Sequence, residues 1–129
     1  MNVALPELAK RLVDAPTFAV VSTINPDGAP QSSVVWVKRD GDDILFSTIR
    51  GRRKTRNLER DPRVGVTLYD PADPYRYVEV RGRVSLTEEG GPELIQELSR
   101  KYDGEPFREG HPDNIRVVVR VIPTKVVER

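Results

Sequence analysis

Residues 17–24 read TFAVVSTI, residues 25–28 read NPDG, and residues 31–38 read QSSVVWVK. Two runs rich in β-branched side chains flank a Pro-Asp-Gly turn signal, so the segment predicts an antiparallel hairpin. The texture repeats outward from there. Asp40-Gly41-Asp42 is a second turn, and residues 43–48 (DILFST) follow it as a third strand. Residues 63–69 (RVGVTLY) predict a fourth strand. Residues 75–86 (YRYVEVRGRVSL) predict a long fifth one, in which Val78, Val80, Gly82, Val84 and Leu86 alternate with Tyr77, Glu79, Arg81, Arg83 and Ser85 and form its inward face. A last strand is expected over 114–122, with Pro123 as a bend and 125–128 as a tail. Leu5, Leu8, Leu12 and Val13 recur at helical spacing and predict a helix over 5–14, ended by Pro16; Leu94, Ile95 and Leu98 predict another over 92–102. Six strands joined largely by hairpins, with short helices inserted, describe a mainly β, antiparallel barrel, and the absence of a GxGxxG or phosphate-loop motif agrees.

The chain has 129 residues, 37% of them apolar, and reads as one domain, 1–129, with neither an internal repeat nor a low-complexity linker. Such a length buries roughly two thirds of its unfolded surface, enough for a core without covalent staples. Twenty-one Lys and Arg against 20 Asp and Glu leave a net charge of +1, so any anion binding must come from local clustering. Zero cysteines exclude a disulfide scaffold, a thiolate zinc site and a cysteine nucleophile, and a single histidine, His111, argues against a metal site or a Ser/His/Asp hydrolase. The N-terminus has no basic leader followed by an apolar core, and no uncharged apolar stretch approaches 18 residues; the expectation is a cytoplasmic protein that engages no membrane.

One cluster stands out. Arg50, Arg52, Arg53, Lys54 and Arg56 place five cations in seven positions, followed by a helix-compatible stretch that Asp61-Pro62 closes. If the helix begins near Arg52, the cations crowd its positive end, each unfavourable by about 0.3 to 1 kcal/mol when exposed, unless an anion sits there and reverses the sign. Ser47 and Thr48 end the preceding strand beside the same point and offer hydroxyls to phosphate oxygens. From spacing alone two other readings stay open: a solvated basic helix paired with Glu59 and Asp61, or a weak nucleic-acid patch. The missing aromatic interleaving disfavours the latter, and no nucleic-acid partner is expected.

Four stretches carry a resemblance. They are PQSSVVW (30–36), LFST (45–48), RRKTRNLERDPRV (52–64) and YVEVRGRV (77–84), of which Lys54-x-Arg56-Asn57-Leu58-x-x-Asp61-Pro62-Arg63 is the most specific. Together they resemble the flavin and deazaflavin split-barrel proteins, the pyridoxamine 5'-phosphate oxidase-like family, and in particular its actinobacterial branch that uses coenzyme F420. The resemblance implies a six-stranded, Greek-key FMN-binding split barrel with three short helices, assembled as a homodimer with cofactor sites at the seam. By matching position it implies that Ser47, Thr48, Arg52, Arg53, Lys54 and Asn57 hold the cofactor's phosphate and acidic tail. Gln31 and Ser33 would lie along the ring or ribityl chain, with Tyr75 and Tyr77 coming from the other subunit.

The resemblance also implies hydride transfer from reduced deazaflavin to an unsaturated small molecule; conjugated enones, quinones and tetrapyrroles are family possibilities. Pyridoxamine phosphate oxidases proper are longer and carry substrate-binding Arg and His residues in a C-terminal segment that residues 126–129 (VVER) do not match, so vitamin B6 oxidation is not expected. FMN is the alternative cofactor and a non-catalytic F420 carrier the alternative role. Five clustered cations suit the deazaflavin's oligoglutamate tail better than one phosphate needs. Outside the cluster, Trp36 is a candidate for stacking on a ring or for packing in the core or an interface, and His111 is either a substrate-side acid or an incidental loop histidine.

Overall fold

A computed structural model describes residues 2–129. The element order is α1 (Glu7–Asp14), β1 (Ala19–Ile24), β2 (Pro30–Val35), β3 (Lys38–Asp40), β4 (Asp43–Ile49), α2 (Arg53–Arg60), β5 (Arg63–Asp70), β6 (Asp73–Thr87), α3 (Gly91–Asp103) and β7 (Arg116–Glu128). All pairings are antiparallel, in the order β2-β1-β5-β6-β7-β4-β3. The two edge strands, β2 and β3, are separated in sequence by Trp36 and Val37 alone. A flat sheet of seven strands would hold its edges about 29 Å apart, whereas the chain from Val35 to Lys38 spans at most about 11 Å. The sheet therefore curls on itself into a barrel left open along one seam.

Inside it, Val21, Val35, Val37, Ile44, Phe46, Val66, Leu68, Val78, Val80, Val119 and Val121 meet Leu8, Ala9, Leu12 and Val13 of α1 and Leu58 of α2 in one core. The spacing that predicted α1 is the spacing of its buried face. A second cluster of Leu45, Leu94, Leu98 and Val118 seats α3 on the outside of β4 and β7.

The sheet has seven strands, one more than the six expected. The added strand is β3, which pairs with Asp43–Leu45: the single strand expected over 31–38 ends at Val35, and Lys38 instead opens β3 with Arg39 and Asp40. The second correction is at the C-terminus, where the expected bend and tail are strand: β7 runs through Pro123 to Glu128 and pairs with Val78–Arg81. Pro123 is tolerated because the ladder shifts register there, opposite Gly82. A Cβ on Gly82 would lie 2.3 Å from the Ile122 carbonyl oxygen, so the bulge requires glycine.

Lys101, in the last turn of α3, buries its ammonium between the carbonyls of Val13 and Val37. Burial pushes its pKa down to about 8, with Asp14 raising it and Lys38 lowering it. A lysine whose folded pKa is depressed binds fewer protons folded than unfolded between about pH 8 and its ordinary value, so stability rises with pH in that window. The melting temperature of the wild type should therefore gain on that of Lys101→Met as pH goes from about 7.5 to about 10; parallel curves would show that the amine is not desolvated.

Candidate anion and cofactor site

The turn from β4 into α2 is built by Gly51, whose φ of +90° suits glycine. Arg52 is the N-cap, in an extended conformation with no side-chain cap, and the first turn holds no acidic residue. The opening N–H groups of α2 thus lack a side-chain acceptor, at the end where the helix dipole is positive. Behind them the helix is fixed by buried polar contacts. Thr55 Oγ1 donates to the Ile49 carbonyl at 2.7 Å, which leaves it to accept from Thr48 Oγ1 at 2.9 Å. Asn57 Nδ2 donates to Thr23 Oγ1 and to Asn25 Oδ1, both at 2.9 Å, and Thr23 Oγ1 donates to Gln31 Oε1 at 2.7 Å.

Beside this helix start lies a cleft of about 300 Å³. Its polar wall is Ser47, Arg52, Lys54 and Arg116; its apolar wall is Phe18, Val34, Val35, Trp36, Ile95, Leu98 and Phe107. Three cations line it and no carboxylate does. Lys54 is 9% exposed and donates to Ser33 Oγ at 3.0 Å. Burial lowers its pKa, and neighbouring Arg52 lowers it further. Its charge is therefore underpaired, and an arriving anion would relieve that. Arg116 differs: it is held by Glu109 at 2.8 and 2.9 Å, lies 4.7 Å over the Phe107 ring and reaches Ser47 Oγ at 3.4 Å. That ion pair holds the Glu109 carboxyl down to about 2.

The sequence-predicted residues divide into groups. Arg52, Lys54 and Ser47 line the cleft, and Ser33 is joined to them through its bond from Lys54. Thr48 and Asn57 are buried, at 1% and 0% exposure, with their side chains bonded inside the protein; they fix the helix and present no polar atom to the cleft. Arg53 and Gln31 line a separate shallow opening with Asn25, Pro26 and Asp27. Arg50 is removed from the cluster by Glu59 at 2.9 Å and Glu88 at 3.0 Å, whereas Arg52, Arg53, Lys54 and Arg56 have no carboxylate partner among the described residues. Tyr75 is 87% exposed, and Tyr77 lines a different surface pocket with Thr67, Tyr69 and Pro74; neither lines the cleft. His111 is exposed in the loop before β7. The sequence alone does not mark Arg116 and Phe107, which reach the cleft from β7 and its preceding loop, more than 45 residues after the end of α2; no local motif identifies them.

A curled antiparallel sheet opened along one seam, with short helices at its ends, is the arrangement of a split barrel. The chain belongs to the pyridoxamine 5'-phosphate oxidase family, whose signature it matches over residues 5–129. Among solved structures, an F420 reductase is 34% identical and superposes with a TM-score of 0.85, covering 95% of this chain and 98% of that one. A conserved hypothetical protein from Mycobacterium tuberculosis is 25% identical, with a TM-score of 0.79 over 98% of this chain and 85% of its own. The pyridoxine/pyridoxamine 5'-phosphate oxidases of Aeromonas hydrophila and Rubrobacter xylanophilus are 39% identical over 70 residues and 36% over 75. Those matches span about a third of the length of the curated relatives, 33% and 34%. The resemblance read from residues 30–84 thus leads to the family itself. Among the described residues no helix is long and apolar enough to cross a membrane, and no group of three or more His, Asp or Glu is placed to hold a metal.

Proposed function

We propose that the protein binds coenzyme F420 at the start of α2 and acts as a deazaflavin-dependent reductase of an unsaturated small molecule. The observation that carries this reading is the pair Arg52 and Lys54, unpaired with any carboxylate, beside the uncapped amides of α2 at the mouth of a cleft with an aromatic wall. A phosphate fits that corner by charge and by N–H geometry. Arg53 and Arg56, exposed just outside, suit the further carboxylates of an oligoglutamate tail. The 34% identity to an F420 reductase over nearly its whole chain favours the same cofactor.

When bound, the reduced deazaflavin supplies the hydride. The chain's own residues do the rest: Lys54 and Arg52 neutralise the anionic end, and Ser33, held by Lys54, stands along β2 where a ring or ribityl hydroxyl would pass. Phe18, Trp36 and Phe107 exclude water from the ring's surroundings. FMN is the second reading, favoured by the oxidase relatives. We further propose a homodimer whose second copy brings Tyr75 and Tyr77 to the seam, since one chain leaves Tyr75 exposed and away from its cleft.

Side-by-side fluorescence titration with F420 and FMN tests the cofactor. F420 should bind more tightly, and its affinity should fall when the tail is shortened and when salt is raised from about 50 to about 500 mM. Equal affinities with no effect of tail length would replace F420 by FMN, and tight F420 binding with no turnover against enones or quinones would make the protein a carrier. Sedimentation of the free protein should give twice the chain mass; a monomer with full affinity would remove the shared site.

A further inference from the structure

The two aromatic walls of the cleft come from opposite ends of the chain, Phe18 and Trp36 from the β1–β2 side and Phe107 from the loop before β7, yet both are tied to one helix. Tyr102, in the last turn of α3, places its ring 5.5 Å from Trp36, stacked at 15°, and 5.5 Å from Phe18. Its hydroxyl donates to the carbonyl of Thr17, the residue before Phe18, at 2.6 Å, and accepts from the N–H of Val37, the residue after Trp36, at 3.0 Å. Tyr102 does not itself line the cleft. Six residues earlier on the same helix, Gln96 grips the other wall: Nε2 donates to the Phe107 carbonyl and Oε1 accepts from the Phe107 N–H, both at 3.0 Å.

We propose that α3 acts as a jig that sets the spacing between these walls for a planar conjugated ring, with Tyr102 and Gln96 as its positioning residues. The proposal deepens the cofactor reading above and rests on it for the identity of the ring. Trp36–Val37 at the barrel seam and the loop around Phe107 have no regular pairing of their own, and α3 holds both, Lys101 adding a bond to the Val37 carbonyl at 2.6 Å and Ser99 one to the Glu105 carbonyl at 2.7 Å. A side chain that bonds the main chain on either side of a wall residue fixes where that wall stands.

The chain has a single tryptophan, so indole emission reports on Trp36 alone. The test compares wild type, Tyr102→Leu, Tyr102→Phe and Gln96→Ala by acrylamide quenching of the free proteins and by titration with F420 and with FMN. Tyr102→Leu should raise the quenching constant at least twofold and weaken cofactor binding at least fivefold. Tyr102→Phe keeps the ring without the two hydrogen bonds and should lie between it and the wild type, and it carries the test if the leucine variant does not fold. Gln96→Ala should weaken binding at least threefold while Trp36 quenching stays at the wild-type value, because it frees the other wall. Unchanged quenching and affinity in both Tyr102 variants, even with lower melting temperatures, would overturn the proposal, since the tyrosine would then be structural only. Wild-type protein that binds neither cofactor would instead remove the cofactor reading, and the quenching series would still decide whether Tyr102 holds Trp36.

Discussion

The Lys54→Met protein is expected to bind F420 about ten- to a hundredfold more weakly than wild type while melting within a few degrees of it. The loss corresponds to a charge-assisted contact of about 1.5 to 3 kcal/mol. Methionine keeps the buried stem of a side chain that is 9% exposed, so the packing under α2 survives. What it removes is an ammonium whose burial and Arg52 neighbour both disfavour the charge, at a helix end that disfavours it too. In the free protein that relief offsets the loss of the 3.0 Å bond to Ser33. The sign also fixes a pH dependence. An anionic ligand prefers the protonated amine, so affinity should fall as pH rises through the free protein's Lys54 pKa, and the fall should begin below the ordinary lysine range. Unchanged affinity with a clearly lower melting temperature would return the basic run to a solvated helix.

Gly82→Ala is expected to destabilise the protein by about 3 kcal/mol, lowering the melting temperature by about 10 °C. The new methyl would stand 2.3 Å from the Ile122 carbonyl oxygen and 2.9 Å from its carbon, both main chain and unable to swing aside. The neighbouring Gly65, where a Cβ would meet nothing nearer than 3.9 Å, is the control, and Gly65→Ala should cost far less. Thermal melts of the two variants side by side check the claim; equal melting temperatures would mean that the β6–β7 bulge yields easily.

The β1–β2 hairpin was legible in the sequence because its turn and its β-branched runs are local, and α2 was legible because Asp61-Pro62 closes it and Arg52 opens it. The strand after Pro123 was not, because the bulge that admits the proline depends on Gly82, some 40 residues away. Nor was β3, whose three polar residues are strand only because β4 lies alongside. In the site, residue identity marked the region of the charge but not who faces it: Thr48 and Asn57 carry the right chemistry and turn it inward, toward Thr55 and Thr23. Arg116 and Phe107 are visible only once β7 has paired with β4.

That last pairing has a bearing on how the molecule is made. β7 alone joins the β2-β1-β5-β6 portion of the sheet to the β4-β3 portion, lying between β6 and β4. Until residues 116–128 have been synthesised, a nascent chain holds two unconnected ribbons, with the edges of β6 and β4 bare and Val78, Val80, Ile44 and Phe46 without their final neighbours. Such edges invite pairing with other chains. The closed barrel, the full seat of α3 and the Arg116 side of the cleft all require β7, so a product ended before residue 116 is expected to be an aggregation-prone fragment instead of a smaller working domain.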